Sequence, residues 1–303
     1  MCDHPIPILV TRLARRLMRQ HPQPTNGDIC YALAMQTQPH EHSQQRPEQR
    51  PGLNLGNKTH GVNYMAPLPT ALRKKLARAI QIYYPSYFYQ PAGSEGLEYH
   101  KWYYNTDVWK TTTWMGVACQ KSPSDLWNYQ EILFDLKPSL VIEFGTNYGG
   151  SALYFANVMR QIGQPFKVLS VDISHYNLEP AARADSDILF VESSSTVPAI
   201  AERIQSLKSE YPGKIFAILD SAHTMDHVLN EMKLLRPILS AGDYLLVEDS
   251  MLNGHPVVPL WGPGPYEAIE AYEQEFPNDY THDLARENKF GWTQAPYGYL
   301  IRN

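Results

Sequence analysis

The chain contains 303 residues, of which 43% are hydrophobic, and it carries a formal net charge of −5. This length and apolar content allow a large buried core, and the acidic balance provides no basic field that would point to nucleic acid. The three cysteines, Cys2, Cys30 and Cys119, lie far apart, which disfavours a disulfide framework or a cysteine-type zinc site.

The sequence shows no signal for insertion into a membrane. No apolar run approaches the roughly 18 residues that a bilayer-spanning helix needs. Residues 1–21 lack a basic segment followed by a long apolar core, so we predict no signal peptide. We therefore expect a cytoplasmic protein without a membrane span.

Residues 1–100 are predicted to form a helical and irregular extension ahead of a larger domain at 101–303. Residues 7–20 place leucines at every fourth position among arginines, a pattern typical of an amphipathic helix that packs on its own protein or binds a partner or a membrane surface. Residues 37–60 are rich in Gln, Pro, His and Arg, which indicates a mobile linker. A second short amphipathic helix is predicted at 69–83.

Aromatic residues are concentrated at 83–129, in a chain that holds 20 Tyr, 9 Phe and 6 Trp. Such a segment can form an aromatic cap on the core, or it can line a pocket for a small molecule. For the pocket interpretation the candidates are Trp102, Tyr103, Tyr104 and Trp109, together with the loop at 253–265.

From residue 125 onward, short apolar segments alternate with amphipathic ones. The apolar segments predict strands at 140–144, 167–173, 187–193, 215–220 and 243–249, and a last strand within 297–303. The amphipathic segments predict helices at 126–138, 150–163, 198–213 and 223–240. Strands that are apolar on both faces and separated by helices indicate an α/β fold, with a mostly parallel sheet and helices on both of its faces.

Acidic residues stand at the ends of the predicted strands. In open α/β sheets a ligand binds outside the carboxyl ends of the strands, so these acids are candidate site residues. They are Glu143, Asp172, Asp220, Glu248 and Asp249.

The segment after the first of these strands reads EFGTNYGGS, residues 143–151, and has the spacing ExGxxxGG rather than the dinucleotide fingerprint GxGxxG. Its glycines let the backbone turn and approach a ligand. With Asp172 placed to hold the hydroxyls of a ribose, the acids suit a ligand that carries a ribose and a positive charge. S-adenosylmethionine meets this description better than NAD, and an NAD(P)-dependent oxidoreductase is the alternative.

A metal site is predicted at the last two acidic strand ends. If the strands that end at Asp220 and at Glu248 and Asp249 are neighbours, three carboxylates converge on one point. Such a cluster is unfavourable unless a cation neutralises it, and carboxylates with water suit Mg²⁺, Mn²⁺ or Ca²⁺ better than zinc. The alternative is that Glu248 and Asp249 cap a helix or pair with Lys and Arg.

Six segments, taken in order, carry a resemblance to a known family. They read GVACQKSPSDLWNYQEIL, IEFGTNYGGSALYFA, LSVDI, ILDSAHTMDHVLNEM, YLLVEDSMLNGHPVVPLWGPGPYEAI and APYGYLIR. Over residues 101–303 the chain resembles the cephalosporin hydroxylase/CmcI-like family, whose members are S-adenosylmethionine-dependent, metal-assisted O-methyltransferases of rhamnosyl groups and other natural products. The resemblance implies a Rossmann-like class I methyltransferase fold and, by analogy, a homo-oligomer.

The resemblance also implies roles for individual residues. Glu143, Gly145 and Gly149 shape the cofactor turn, and Asp172 binds the ribose. Asp220, Glu248 and Asp249 hold the metal. Further predicted cofactor contacts are Thr146, Ser151, Ser194 and Asp220. The chain departs from the family pattern at Phe144, at residues 192–194, where a Gly-Ser-Ser reads Glu192-Ser193-Ser194, and at residues 294–300.

The predicted reaction is the transfer of a methyl group from S-adenosylmethionine to a hydroxyl of a sugar, polyketide or peptide-type small molecule, assisted by Mg²⁺ or another divalent cation. An alcohol holds its proton tightly, so a base is expected, and His223 is the first candidate, followed by His255 and His227. The alternative for His223 is a helix cap or a residue that orients a metal carboxylate. A non-catalytic accessory protein with the same fold is a further alternative function.

Overall fold

The structure is a computed structural model that describes residues 94–303. The predicted helices at 7–20 and 69–83 and the predicted linker at 37–60 lie outside the described residues. No helix within 94–303 has both the length and the apolar character needed to cross a bilayer.

The first described elements lie beside the main sheet. Helix α1 (Glu95–Asn105) is followed by a short 3-10 turn and by a two-stranded antiparallel hairpin of β1 (Thr113–Trp114) and β2 (Val117–Ala118). Helix α1 runs across the predicted domain boundary between residues 100 and 101. Its buried His100 approaches the sulfur of Met251 to 3.0 Å, so this part of α1 packs with the larger domain.

A seven-stranded sheet forms the centre of the described region, in the order β5-β4-β3-β6-β7-β9-β8. The strands are β3 (Leu140–Phe144), β4 (Lys167–Asp172), β5 (Ile188–Glu192), β6 (Ile215–Leu219), β7 (Tyr244–Val247), β8 (Tyr280–His282) and β9 (Tyr299–Arg302). The first five pair in parallel, and β9 is antiparallel to both β7 and β8. The predicted α/β fold with a mostly parallel sheet is confirmed.

Helices cover both faces of this sheet. They are α2 (Pro123–Leu136), α3 (Gly150–Ile162), α4 (Pro180–Arg183), α5 (Pro198–Glu210), α6 (Met225–Leu235), α7 (Pro265–Glu275) and α8 (Leu284–Glu287). One core contains the apolar residues of α5, α6 and α7, and the other contains those of α2 and α3.

The apolar strand β3 divides its side chains between the two cores. Leu140, Ile142 and Phe144 belong to the core beneath α5, α6 and α7, whereas Val141 belongs to the core beneath α2 and α3. Successive side chains of a strand point to opposite faces of the sheet, so a strand covered on both sides must be apolar at every such position. This is why the segment reads as a continuous apolar run.

Helix α7, strand β8 and the short helix α8, all near the carboxyl end of the chain, were not predicted, and the first two show why. Helix α7 follows the Gly- and Pro-rich stretch that sequence analysis treated as a loop, and Pro265 occupies its first turn, where the missing N–H costs nothing. Strand β8 has only three residues, too few to show an alternating pattern. Both elements depend on packing against β9 and α6 rather than on local sequence.

Candidate active site

A cavity of about 690 Å³ opens at the carboxyl ends of the parallel strands, within the usual range of small-molecule sites. Residues after β3, β4, β5, β6 and β7 line it, as does the segment between β2 and α2. Strands β3 and β6 are neighbours, so the glycine turn and the acidic strand ends face one space. This is where the rule for ligand sites in open α/β sheets places the ligand.

The turn after β3 depends on Gly145. Its φ is +104°, and a Cβ at this position would lie 1.9 Å from the carbonyl oxygen of Asp220. The two chains cannot move apart to make room for a side chain, because the amide of Asp220 donates to the carbonyl of Phe144 at 2.8 Å. Position 145 therefore requires glycine. Gly149, with φ +85°, caps α3 but does not line the cavity.

Asp172 lines the cavity and also holds the turn in shape. Its Oδ2 accepts the backbone N–H of Thr146 at 2.8 Å and that of Asn147 at 2.9 Å. Its Oδ1 accepts the N–H of Ser174 at 3.2 Å. Asp172, the residue predicted to bind the ribose, thus also holds the glycine turn in place through these hydrogen bonds.

Glu143 lies behind the turn rather than in the cavity. It is fully buried, and its two oxygens accept the hydroxyls of Ser151 and Ser170. Burial raises the pKa of Glu143 to about 7. Ser151 lines the cavity and Glu143 does not, so in this structure Glu143 supports the turn from behind.

The loop after β5 carries two serines to the cavity wall. Ser194, a predicted cofactor contact, and Ser195 both line the cavity. The hydroxyl of Ser195 lies 3.1 Å from His227 Nε2, and the same nitrogen lies 3.2 Å from the buried carboxylate of Glu231. The hydrogen bond with Glu231 raises the pKa of His227. His227, the third candidate for the base, therefore lies on the β5 side of the cavity. Its contacts with Ser195 and Glu231 link α6 to the loop after β5.

Asp220, His223 and Asp249 meet at the ends of β6 and β7. One ligand atom from each lies within 4.8 Å of the others, and β6 and β7 are paired, which meets the condition set in the sequence analysis. His223 Nε2 is 3.1 Å from Asp249 Oδ2. Burial raises the pKa of Asp249, and the charge of Asp220 adds to that effect. This mutual repulsion is what a bound cation would relieve.

The backbone of Asp249 has an uncommon conformation. Its φ is +54°, in the left-handed region that Asp and Asn tolerate better than other side chains. Such conformations cluster at functional sites, where the surrounding structure holds them in place.

Glu248 lies outside this group in the structure, and its role as a metal ligand stays a prediction. Its side chain is only 2% exposed, accepts the hydroxyl of the fully buried Tyr129, and lies 3.4 Å from the ammonium of Lys121. Burial raises the pKa of Glu248 to about 8. Adjacent residues at the end of β7 point to different sides, so Asp249 faces the cavity and Glu248 faces the core beneath α2.

Lys121 is the residue that sequence analysis missed. It is 3% exposed, lines the cavity, and contacts both Asp220 Oδ2 and Glu248 Oε1. These two carboxylates raise the pKa of Lys121 well above its ordinary value, against the effect of burial. In the sequence Lys121 stands just before the Ser122 cap of α2, where a lysine carries no distinguishing pattern.

His255 does not line the cavity, so the structure gives its predicted role as a base no support. Its Nε2 lies 3.1 Å from Glu267 of α7, and its ring stacks on Tyr266 at 3.8 Å between centroids. The loop that carries His255 contacts the site through a different residue, Trp261, whose indole N–H donates to the carbonyl of His223 at 3.0 Å.

The predicted aromatic walls divide into two sets. Tyr104, Trp109 and Trp261 line the cavity. Trp102 is 52% exposed and Tyr103 is buried, and neither lines it. Since both lie on α1 with Tyr104, the face of that helix decides which aromatic residue reaches the cavity.

The comparisons with known proteins agree with this geometry. The family model described as Rhamnosyl O-methyltransferase/CmcI matches residues 106–303. This chain belongs to that family. Rhamnosyl O-methyltransferases of Mycobacterium bovis and Mycobacterium tuberculosis are each 71% identical to it over 228 residues, which cover 75% of this chain and 93% of theirs. That of Mycobacterium leprae is 72% identical over 214 residues, covering 71% and 93%.

Family membership confirms the predicted family and the predicted enzyme class, an O-methyltransferase. Among solved structures, one described as CmcI-N160 in its apo form matches with a TM-score of 0.53 at 22% identity, over 64% of this chain and 76% of that chain. One described as cmcI-D160 Mg-SAM matches with a TM-score of 0.50 at 21% identity, over 64% and 77%. These likenesses confirm the Rossmann-like methyltransferase fold.

Proposed function

We propose that this member of the family transfers the methyl group of S-adenosylmethionine to a hydroxyl of a rhamnosyl group, with a divalent cation held by Asp220 and Asp249. The observation that carries this proposal is the meeting of Asp220, His223 and Asp249 beside the turn at Gly145. That turn is the predicted methyl-donor site, so donor and acceptor sites share one cavity.

The acceptor is inferred from the relatives. The mycobacterial proteins at 71% and 72% identity are rhamnosyl O-methyltransferases, and the match covers 93% of their length. The aromatic side chains of Tyr104, Trp109 and Trp261 are suited to pack on the apolar faces of a sugar ring and to exclude water. We extend the proposal only to this sugar hydroxyl and not to the remainder of the acceptor.

The donor set fits a divalent cation that prefers oxygen. Mg²⁺ keeps several water ligands and is commonly held by one or two carboxylates, which Asp220 and Asp249 supply. A magnesium site of this kind leaves His223 outside the ligand set, because nitrogen is a poor ligand for Mg²⁺. The solved structure described as Mg-SAM belongs to a related fold, which supports Mg²⁺ and S-adenosylmethionine as the pair to test.

When bound, the cation would favour ionisation of the acceptor hydroxyl, and the sulfonium would supply the methyl group. The protein contributes orientation and a proton acceptor. His223 Nε2 lies 3.1 Å from Asp249 Oδ2, a contact that keeps the imidazole at the cavity wall. His223 lies beside Asp220 and Asp249 and can therefore take the proton of an acceptor hydroxyl bound there.

The test is methyl transfer to a rhamnoside by the wild-type protein and by Asp249→Asn. With labelled S-adenosylmethionine and Mg²⁺, we expect wild-type transfer that a chelator stops, and a loss on the order of a hundredfold in the variant, because the cation loses a ligand. Binding of S-adenosylhomocysteine, measured by calorimetry, is expected to stay within about threefold in the variant, because donor and metal contacts are separate.

Asp226→Asn is the matched control, since Asp226 is an exposed acid on α6 outside the cavity. Its activity should equal that of the wild type. Full turnover in chelator would refute the metal role, whereas transfer to a glucoside but not a rhamnoside would refute the acceptor. Binding of NADH in place of S-adenosylhomocysteine would favour an oxidoreductase.

A further inference from the structure

Lys121 is a buried cation at the junction of two acidic residues. Its ammonium contacts Asp220 Oδ2 and lies 3.4 Å from Glu248 Oε1, and its side chain is 3% exposed. An ammonium group is costly to bury unless carboxylates pair with it. Its backbone is also fixed, because its N–H donates to Cys119 O at 2.9 Å and its carbonyl accepts the Tyr103 hydroxyl at 3.4 Å.

The two oxygens of Asp220 have different surroundings. Oδ2 is taken by Lys121, whereas no hydrogen bond to Oδ1 is found among the described residues. Asp220 can therefore hold the ammonium with one oxygen and present the other to Asp249 and His223. Lys121 fixes the orientation that makes this possible.

The charges of the site support the same role. Asp220, Glu248 and Asp249 together carry three negative charges when ionised, and one divalent cation neutralises two of them. The single positive charge of Lys121 offsets the remainder. Without it, a buried site that holds a divalent cation would keep one uncompensated negative charge.

We propose that Lys121 is a positioning residue for methyl transfer, a fixed positive charge that orients Asp220 and completes the neutrality of the metal-loaded site. The inference rests on the proposed function, because it requires a divalent cation between Asp220 and Asp249. The positive charge of Lys121 weakens metal binding, and the orientation that it gives Asp220 supports methyl transfer. A lysine that merely filled space would have neither effect.

The test combines metal affinity and turnover in Lys121→Met. Removal of a positive charge one carboxylate away from the cation should tighten Mn²⁺ binding roughly tenfold or more, measured by electron paramagnetic resonance at alkaline pH. Turnover at saturating Mg²⁺ should nevertheless fall by a similar factor, because Asp220 loses its orientation and the site its neutrality. General damage to the site would instead weaken metal binding and turnover together.

Lys110→Met is the matched control, since Lys110 is exposed and pairs with Asp107 at 3.0 Å. Its Mn²⁺ affinity and turnover should equal those of the wild type. Lys121→Arg keeps a positive charge beside Asp220 and is the second variant if Lys121→Met is unstable. Because the charge is kept, its Mn²⁺ affinity should stay within about threefold of the wild-type value.

Three outcomes would overturn the inference. Unchanged or weaker Mn²⁺ binding in Lys121→Met would show that the ammonium does not act on the cation. A Lys121→Arg variant that binds Mn²⁺ as tightly as Lys121→Met does would show that the charge at this position does not govern the site. A wild-type protein that binds no divalent cation would remove both this inference and the proposed metal site, whereas the first two outcomes leave the proposed function intact.

Discussion

At the scale of single residues, neighbouring acids acquire different roles from the direction of their side chains. Glu248 and Asp249 are adjacent, yet Glu248 accepts from Tyr129 in the core, and Asp249 pairs with His223 at the cavity. The positive φ of Asp249 turns the chain between them. The same distinction separates the two histidines, since His223 is held at the cavity and His255 is held against α7.

This distinction gives a prediction for the two histidines. His223→Gln should lower turnover by roughly 10²–10⁴-fold, the usual contribution of a general base. His255→Gln serves as the control and should keep turnover within about threefold, since its ring lies outside the cavity. Steady-state kinetics with binding of S-adenosylhomocysteine would check both. Equal losses in the two variants would contradict the assignment of the base.

At the scale of secondary structure, the turn between β3 and α3 joins the two halves of the site. Gly145 passes against the carbonyl of Asp220, so the donor turn and the end of β6 are in direct contact. The carboxylate of Asp172 holds the following amides of Thr146 and Asn147. A change in this turn is therefore expected to move the metal ligand as well as the cofactor contacts.

We test this link with Gly145→Ala and the control Gly163→Ala. Both glycines have positive φ, +104° and +80°, but a Cβ on Gly163 meets nothing within 4 Å. Gly163→Ala should cost about 1–2 kcal/mol from backbone strain alone. Gly145→Ala should cost more than about 4 kcal/mol, because its Cβ collides with backbone.

Urea denaturation would measure both costs, and calorimetry with S-adenosylhomocysteine and with Mn²⁺ would measure binding. We expect Gly145→Ala to weaken both ligands and Gly163→Ala to weaken neither. Equal destabilisation by the two variants would show that the contact with Asp220 does not govern this turn.

At the scale of the whole molecule, strand order brings the site together. Residues 143 and 249 are far apart in sequence, but β3, β6 and β7 are consecutive in the sheet. The sheet also buries Glu143 completely, between the hydroxyls of Ser151 and Ser170. A carboxyl in that position is a source of pH-dependent folding stability.

The sign of that dependence follows from the pKa. Burial raises the pKa of Glu143 from its ordinary 4.5 to about 7, so the folded protein prefers the protonated form. The resulting stabilisation is complete below pH 4.5 and is lost as the pH rises through about 7. Relative to acidic conditions, the loss from this group at alkaline pH is roughly 3 kcal/mol.

Glu143→Gln should remove this contribution. Urea denaturation of both proteins between about pH 5 and about pH 8 should show a smaller loss of unfolding free energy in the variant over that interval. The control is Glu202→Gln, an exposed residue of α5, whose curve should parallel the wild type. Parallel curves for Glu143→Gln and the wild type would contradict a raised pKa.

The sequence by itself determined the strand and helix alternation, the glycine turn, and the acids at the strand ends. These features follow from local rules, because a strand buried on both faces must be apolar and a sharp turn against backbone requires glycine. The sequence left open whether β6 and β7 are neighbours, and the structure pairs those strands. The family resemblance supplied the reaction class.

Only the tertiary structure decided which acid faces the cavity and which cation stands beside it. Glu248 contacts Tyr129 in the core whereas Asp249 lines the cavity, and the position of Lys121 depends on how the segment before α2 packs against the ends of β6 and β7. Direction and long-range proximity are not encoded in residue spacing. The direction of each side chain and its distant neighbours are set only when the helices pack on the sheet.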